Sequence, residues 1–315
     1  MVTLSSIDVG VDVSKKHLDI HLHQIGKSAR IANSATGITE LEKLLAQYNI
    51  GQVACEATGG YERLMYKTLR QANYKVWRVE PRRIKAFIAS EGIKAKTDKI
   101  DAKMIALFAS KKCSSYEAIE LSDNNEKLKS FVTLRTSINT SITAVKAQLQ
   151  QSFDPDCHTF LTKNLNFLEK QLNNLTKHIN ALIETDQDSQ NKATIITSIP
   201  GVGDTTAATM LAMLPELGKI NNKQAAALVG VAPYIKQSGN LKGHARINGG
   251  RAPIRRVLYM AALSAITCNS VIKHFYQRLI DTGKAFKVAI VAVMRKLVIY
   301  MNTLTRKGEL WNSAI

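Results

Sequence analysis

The chain has 315 residues, of which 45% are hydrophobic, so it is long enough for two domains with sizeable cores. Its 43 Lys and Arg against 25 Asp and Glu give a formal net charge of +18, which indicates a polyanionic partner and argues against a small-molecule substrate. The four cysteines lack CxxC and zinc-ligand spacing, and neither a signal peptide nor a membrane-spanning apolar run is recognisable, so we expect a cytoplasmic protein with free thiols.

The N-terminal part, up to about residue 118, alternates strand and helix signals. Residues 6–13 are typical of a buried strand, whereas residues 18–23 alternate apolar and polar side chains, as in a half-exposed antiparallel strand. Three strands, a helix, a strand, a helix and a strand is the order of an RNase H-like α/β fold, in which the first strand is central. The strands are predicted at 6–13, 18–23, 29–33, 52–56 and 75–79, and the helices at 36–48, 61–72, from Pro81 onwards and at 98–111.

Four acidic residues lie at the ends of these elements. Asp12 and Glu56 each end an apolar run, and Asp98 and Asp101 are spaced so that a helix would place both on one face. Converging carboxylates repel one another unless a cation lies between them, and oxygen ligands favour Mg²⁺ or Mn²⁺. The quartet therefore predicts a two-metal site for phosphoryl transfer. A fifth acid, Asp19, is predicted to lie at the surface.

The middle of the chain is predicted to be a long helical hairpin. From about residue 124 to 184 there is almost no glycine, and apolar residues recur at spacings of three and four, as in a coiled coil. Pro155 should break the helix, and Arg135 interrupts the first apolar seam. A compact helical bundle is the alternative, and the hairpin could also pair with another subunit. The predicted domains are 1–118, α/β and catalytic; 119–188, a coiled-coil hairpin; and 189–315, mostly α-helical with a serine loop.

The C-terminal part carries most of the positive charge. From Lys219 to Lys307 there are sixteen Lys and Arg residues and one acid, Asp281, a balance of +15. An excess of one sign over almost ninety residues predicts nucleic-acid binding rather than an ordinary solvated surface.

The first notable loop of this part contains Gly201 and Gly203 and precedes a helical run. It looks like the turn of a helix-hairpin-helix element, in which glycines let backbone amides approach a phosphate at the positive end of a helix. A simple turn between two helices is the alternative interpretation.

The second loop, Pro233 to Arg256, combines glycines with many cations. Glycine lets the backbone approach a ligand closely, and the planar guanidinium of Arg binds phosphate well. The residues alone favour Ser238 as a hydroxyl that binds phosphate, with nucleophilic attack on a phosphodiester as the alternative. The cations expected to contact nucleic acid are Lys236, Lys242, Arg246, Arg251, Arg255 and Arg256.

Taken in order, these motifs resemble those of the DEDD transposases and recombinases of the IS110 insertion sequences, a family that includes the Piv-type DNA invertases. The resemblance extends over nearly the whole chain. It is carried by Gly10-Val11-Asp12-Val13-Ser14-Lys15, Cys55-Glu56-Ala57-Thr58-Gly59, Lys96-Thr97-Asp98-Lys99-Ile100-Asp101-Ala102, Ile199-Pro200-Gly201-Val202-Gly203, and Ser238-Gly239 followed by Gly243 and Arg255-Arg256-Val257-Leu258-Tyr259.

The resemblance implies a Mg²⁺-dependent DNA transposase or site-specific recombinase with a RuvC-like N-terminal domain. Asp12, Glu56, Asp98 and Asp101 would hold Mg²⁺, with Mn²⁺ as a substitute, and Ser238 would form a transient phosphoserine link to DNA. The implied partners are donor and target DNA, a structured bridge RNA as guide, and further copies of the chain in a dimer or tetramer that shares its site between subunits. The implied location is the bacterial cytoplasm, in association with the nucleoid and without a membrane partner.

Other functions agree with parts of the sequence. A structure-selective nuclease of the junction-resolvase kind would need only the acids, with water as the nucleophile, and a Piv-type invertase would need the same residues as a transposase. The segment from Asp8 to Ser14 resembles the phosphate loop of actin-like sugar kinases, but neither a second phosphate loop nor an adenosine pocket is recognisable. A non-catalytic binding protein would leave the spacing of the acids unexplained.

Overall fold

A computed structural model describes residues 6–92, 98–113, 123–234, 237–238, 241–242 and 246–312. They form two compact units, one within Met1–Ala118 and the other within Ile119–Ile315. The described part of the first unit is mixed α/β, and that of the second is helical apart from short strands of two residues each.

The first unit has the order of elements that the sequence predicts, with bounds that differ by only a few residues. Helix α1 begins after Ser34, whose side chain accepts a hydrogen bond from Gly37 N and so caps the helix. Helix α3 begins at Pro81, which suits the first helical position. The elements are β1 (Ile7–Val13), β2 (His17–Leu22), β3 (Lys27–Ala32), α1 (Ala35–Leu45), β4 (Ile50–Glu56), α2 (Arg63–Gln71), β5 (Val76–Val79), α3 (Pro81–Ser90) and α4 (Asp98–Lys112).

The strands of the first unit form one sheet in the order β3-β2-β1-β4-β5, so β1 is central. β1 pairs antiparallel with β2 and parallel with β4, and β4 pairs parallel with β5. The predicted central position of the first strand is therefore confirmed. Because β1 and β4 are parallel, their carboxyl ends meet at the same edge of the sheet. The arrangement fits the RNase H-like α/β unit that the sequence predicts.

The two faces of this sheet carry different helices. Val9, Val11 and Cys55 point into a core that α1 and α2 complete, whereas Ala54 points into a second core with residues of α3 and α4. The alternation follows from the period of two in a strand. Residues at even positions of β1, including Asp12, therefore lie on the face that α4 covers.

Helix α4 crosses that face in direct contact with the backbone of β1. A Cβ atom at Gly10 would lie 2.3 Å from the carbonyl oxygen of Ala102 and 2.2 Å from the amide nitrogen of Ala106. A helix backbone can approach a strand so closely only where the strand lacks a side chain. Gly10 thus sets the position of α4 on the sheet.

The second unit begins with two long helices joined by a short connection, and helices dominate the rest. Its helices are α5 (Asp123–Gln151), α6 (Pro155–Glu184), α7 (Gln187–Thr197), α8 (Asp204–Met213), α9 (Asn222–Val229), α10 (Ala252–Cys268), α11 (Ser270–Asp281) and α12 (Phe286–Lys307). Its strands are β6 (Pro233–Tyr234), β7 (Gln237–Ser238), β8 (Leu241–Lys242) and β9 (Arg246–Ile247).

The predicted helical hairpin is present as α5 and α6, and its base is part of the core of the second unit. Leu128 and Val132 of α5 and Ile179 of α6 belong to the same buried cluster as Leu211 of α8 and Leu258 of α10. The described parts of 119–188 and 189–315 therefore share one core. Coiled-coil geometry in the hairpin stays a prediction.

Arg135 interrupts the apolar seam of α5 because it bonds to another helix. Its side chain is 5% exposed, and its Nη2 atom donates to Thr205 O and to Thr209 Oγ1 on α8, each at 3.1 Å. Burial lowers the pKa of Arg135 from its usual value. These bonds link the hairpin to the start of α8.

Helix α12 is the one described helix that is long and apolar enough, by length and composition alone, to cross a membrane. It packs against α7, α9, α10 and α11, and Ile290, Val293 and Leu297 are fully buried in the second unit. The apolar character of α12 is that of a central core helix.

Replacement of Gly10 by Ala should destabilise the first unit. The added methyl group would collide with the backbone of α4, so we expect the free energy of unfolding to fall by about 1–3 kcal/mol, as measured by thermal and urea unfolding. Gly203→Ala adds the same group in open space and should cost less, at most about 1 kcal/mol, because Ala is a poorer N-cap than Gly. Equal stability of the Gly10→Ala variant and the wild type would contradict the contact.

Candidate active site and nucleic-acid interface

Asp12 and Glu56 occupy neighbouring positions at the carboxyl ends of β1 and β4. In this parallel pair Val11 is the partner of Cys55, so the next residue along each strand is the acid. Both acids are partly exposed, and both follow residues that point to the opposite face of the sheet. Because adjacent strands lie about 4.8 Å apart, the two carboxylates project side by side.

The direction of α4 brings its N-terminal end to the same edge. The C-terminal part of α4 lies over the beginning of β4, where Gln52 Nε2 donates to Ala109 O at 2.9 Å. The middle of α4 covers Gly10. Asp101, partly exposed, precedes this contact and lies towards the carboxyl ends of β1 and β4.

These acids provide the oxygen donors that Mg²⁺ and Mn²⁺ prefer. The backbone of Asp98 begins α4, but its side chain lies outside the described residues. Within the described part of the chain, no three His, Cys, Asp or Glu side chains are grouped closely enough to hold a metal ion. The donor chemistry therefore fits a hard divalent cation, and the described carboxylates by themselves do not complete a set of ligands.

Two polar side chains hold the loops at this edge of the sheet in place. Asn33 Nδ2 donates to Ser14 O at 2.8 Å and to Tyr61 O at 3.0 Å, which joins the loops that follow β1, β3 and β4. Glu62 is 4% exposed and accepts a bond of 2.9 Å from Gly60 N, in the turn after β4. Sequence reasoning missed both residues. The one available signal for Glu62 was an acid shortly after a double glycine.

The two buried cysteines of the first unit, Cys55 next to Glu56 and Cys113 beyond the C-terminal end of α4, are not thiolates. Burial raises the pKa of Cys55 to about 12, and it raises that of Cys113 to about 12 as well. Both thiols therefore stay protonated at neutral pH, which excludes them as anionic nucleophiles.

Asp19 is buried, so the prediction of a surface position is wrong. It is the direct cross-strand partner of Asp12. Arg30, its partner on β3, donates from Nε to Asp19 Oδ1 at 2.8 Å and from Nη2 to Asp19 Oδ2 at 3.0 Å. This paired geometry offsets the cost of removing the Asp19 carboxylate from water. The missed signal was an acid and a base at facing positions of two predicted strands.

Ser238 lies in β7, one of four short paired strands among the described residues of 233–247, and we call these described residues the serine ribbon. β6 pairs antiparallel with β9, and β7 with β8, where Ser238 is the partner of Leu241. The sequence predicted a loop here, and the described residues instead pair as strands. The side chain of Ser238 lies outside the described residues.

Glycines bring the two ends of the serine ribbon into backbone contact. Gly230 has a φ of +80° and Gly250 a φ of +71°. A Cβ atom on Gly230 would lie 2.4 Å from Gly249 O, and one on Gly250 would lie 2.3 Å from Gly230 N. Arg255 Nη1 donates to Gly249 O and, at 3.2 Å, to Val229 O. The base of the ribbon is therefore fixed to the end of α9.

Arg251 forms a second attachment. Its Nη1 atom donates to Met213 O at 2.7 Å and to Glu216 Oε2 at 2.6 Å, and its Nη2 atom donates to Glu216 Oε1 at 2.5 Å. Glu216 is 7% exposed. Arg251 and Arg255 are partly exposed and also hydrogen-bonded within the second unit, and the prediction that they contact nucleic acid stays a prediction.

The remaining predicted cations fall into two groups. Arg246 and Arg256 are exposed, and Arg246 pairs across the ribbon with Tyr234, which is 50% exposed. Lys236 and the side chain of Lys242 lie outside the described residues.

The turn between α7 and α8 has an exposed glycine at the start of a helix. Gly201 has a φ of +94°, and a Cβ atom there would lie 2.5 Å from Ala265 Cα on α10. Gly203 is the exposed N-cap of α8, with open space around it. The first amides of α8 are thus accessible, and Asp204 adds an acid to the same turn. Assignment as a helix-hairpin-helix element stays a prediction.

Similar proteins include the "Pilin gene-inverting protein" of Moraxella lacunata and that of Moraxella bovis. Each is 25% identical over 323 residues, which cover 99% of this chain and 99% of the relative. The "Insertion element IS110 uncharacterized 43.6 kDa protein" of Streptomyces coelicolor is 26% identical over 121 residues, 38% of this chain and 30% of that protein.

Two family models match the chain. The DEDD model of the IS110 type, described as "Transposase", matches residues 9–155, which include the α/β unit and α5. The model described as "Transposase IS116/IS110/IS902 family" matches residues 193–277, which include the turn before α8 and the serine ribbon. Since these two matches together cover most of the chain, the protein belongs to the IS110 family of transposases, which are DNA-cleaving recombinases.

Proposed function

We propose that this transposase cleaves and exchanges DNA strands in a Mg²⁺-dependent reaction through a phosphoserine at Ser238. The observation that supports this most directly is the neighbouring position of Asp12 and Glu56, with the Asp101 end of α4 directed to the same edge of the sheet. Convergent carboxylates on rigid elements are what a site for hard divalent cations requires.

Asp12, Glu56, Asp98 and Asp101 would hold the cation through carboxylate oxygens. When bound, Mg²⁺ or Mn²⁺ polarises a phosphodiester and offsets the negative charge on its oxygens. Two of these acids stand on adjacent parallel strands, so the backbone fixes their separation before any ligand arrives. This preorganisation lowers the cost of bringing like charges together.

Ser238 is the proposed nucleophile. A bond forms between its Oγ atom and phosphorus, and the bond from phosphorus to one deoxyribose oxygen breaks. The serine proton passes to a base and the departing oxygen gains a proton, so no oxidant or reductant is needed. Attack on the phosphoserine by a hydroxyl of another strand then forms the new phosphodiester, breaks the bond from phosphorus to Ser238 Oγ and, after the hydroxyl loses its proton to a base, returns a proton to the serine. Exposed Arg246 and Arg256, with Lys236 and Lys242, are the proposed phosphate contacts.

Ser238 must be held in a fixed position if it is to attack a phosphate. Arg251 and Arg255 are bonded to the body of the second unit, and we assign them the role of holding the serine ribbon in place.

The proposed partners are donor and target DNA, a structured guide RNA and further copies of the chain. The excess charge between Lys219 and Lys307 and the accessible amides at the start of α8 support nucleic-acid binding, and they suit DNA and RNA equally. Assembly into a dimer or tetramer is supported by three phenylalanines at heptad spacing on the α5–α6 hairpin. They are Phe153, 98% exposed, Phe160, 72% exposed, and Phe167, 58% exposed. The proposed location is the cytoplasm, at the nucleoid.

Inversion of a DNA segment is the second candidate function. The similarity to the two pilin gene-inverting proteins extends over 99% of this chain and 99% of each relative. It therefore supports inversion as a function of the whole chain rather than of one domain. The same residues would act in both reactions. A plasmid with an invertible segment and one with a mobile donor would separate the two outcomes.

Ser238→Ala should abolish the covalent protein–DNA adduct, because the alanine has no hydroxyl to attack phosphorus. The adduct would be trapped on a nicked DNA substrate and measured on a denaturing gel. Ser270→Ala, which changes an exposed serine of the same unit, should leave the yield unchanged. Full strand exchange by Ser238→Ala would refute the nucleophile, and cleavage without any adduct would favour a nuclease that uses water.

Asp12→Asn and Glu56→Gln should each lower DNA cleavage about 100-fold or more, because a neutral amide holds a divalent cation much less well than a carboxylate. DNA affinity, measured by fluorescence anisotropy, should change little. Glu91→Gln, an acid in the same unit that pairs with Lys111, is the matched control. Cleavage at the wild-type rate by either site variant would contradict the proposed role.

Glu216→Gln should loosen the serine ribbon, because it removes the ion pair that holds Arg251. We expect about 1–3 kcal/mol less stability, faster proteolysis within the ribbon and less adduct. If Arg251 only holds the ribbon, the DNA affinity of Glu216→Gln should not rise. If Arg251 were instead free to contact phosphate once its partner is lost, DNA binding would become tighter. Glu309→Gln removes an exposed ion pair with Lys307 and should change none of these. An unchanged proteolytic pattern in Glu216→Gln would show that the pair does not hold the ribbon.

A further inference from the structure

We propose that Asp19 and Arg30 form a charge-balancing pair that sets how tightly the acid site holds its divalent cation. The inference rests on the proposed metal role of Asp12 and Glu56. It assigns Asp19 and Arg30 as positioning residues, which act through Asp12 and not on DNA.

Asp12 has a carboxylate neighbour on each side. On one side Asp19 is its direct partner in the antiparallel pair, and on the other Glu56 follows the Val11–Cys55 pair of the parallel strands. Direct partners in an antiparallel pair have Cα atoms no more than about 5.5 Å apart and side chains on the same face. Three acids therefore stand in one row across β2, β1 and β4.

This row cannot persist with three uncompensated charges, since like charges directly opposite one another are destabilising. Arg30 compensates one of these charges, that of Asp19. Its two bonds to Asp19, at 2.8 and 3.0 Å, match the planar guanidinium to the carboxylate. The Asp19 side chain is 7% exposed and that of Arg30 is 51% exposed, so the acid is fixed in the sheet and the base covers it from outside.

The pair therefore contributes no net charge while both members are present. Loss of Asp19 alone would leave the positive charge of Arg30 beside Asp12 and weaken cation binding. Loss of Arg30 alone would leave an extra negative charge beside Asp12 and strengthen cation binding. If the pair acts through its charge, the two substitutions should change cation affinity in opposite directions. If the pair is purely structural, both substitutions should weaken cation binding.

The test is Mn²⁺ binding to the full chain without DNA, measured by calorimetry and by electron paramagnetic resonance. We expect Asp19→Asn to raise the dissociation constant about three- to tenfold and Arg30→Gln to lower it by a similar factor at low ionic strength. The double variant should bind nearly as the wild type does. The Mg²⁺ concentration for half-maximal cleavage should move in the same directions.

Two controls separate charge from structure. Arg30→Lys keeps the charge without the paired geometry and should retain wild-type affinity. Lys111→Gln removes a cation that pairs with Glu91 at the other end of α4 and should not change affinity. Arg30→Gln leaves the buried Asp19 carboxylate without its guanidinium and is the variant more at risk of unfolding. If it does not fold, weaker binding by Asp19→Asn and its recovery in the double variant still test the inference.

Each outcome decides the matter. Shifts of the two single variants in the same direction, or an Arg30→Gln protein that binds Mn²⁺ no more tightly than the wild type, would overturn the inference and leave the proposed metal site standing. A wild-type chain that binds no Mn²⁺ would overturn the metal site itself and the inference with it.

Discussion

The pairing of β1 with β4, together with the contact between α4 and Gly10, determines where the acids of the first unit stand. The parallel register puts Asp12 and Glu56 at adjacent strand ends. The absent side chain at Gly10 lets the backbone of α4 reach the sheet. Carboxylates do not converge unaided, because their mutual repulsion opposes it. Here the hydrophobic cores on both faces of the sheet supply the free energy that holds them close.

Much of this arrangement could be predicted from the sequence, because it depends on local patterns. The strand order, the central β1 and the neighbouring ends of β1 and β4 follow from apolar runs and the order of elements. Asp19 could not be placed in that way. An acid in an alternating strand usually faces water, and only the cross-strand register shows that Arg30 stands opposite and balances it. Pair interactions across strands are invisible until the register is known.

In the second unit, the roles of the cations could not be predicted from the sequence for the same reason. Composition identified its positive charge, but composition cannot tell a cation that meets solvent from one that bonds to carbonyls. Arg251 meets Glu216, and Arg255 meets backbone oxygens at the end of α9. Both bonds join residues far apart in the chain. Arg246 and Arg256, which look the same in the sequence, stay exposed. The distinction arises from tertiary packing alone.

Arg135 connects the hairpin to α8 by hydrogen bonds, in addition to the apolar contacts of α5. A buried guanidinium bonded to Thr205 and Thr209 adds a directional contact to the close packing of the apolar side chains. Any tilt of α5 at that level must carry the first turn of α8 with it. The accessible N-cap of α8 at Gly203 is therefore coupled to the hairpin through the side chain of Arg135.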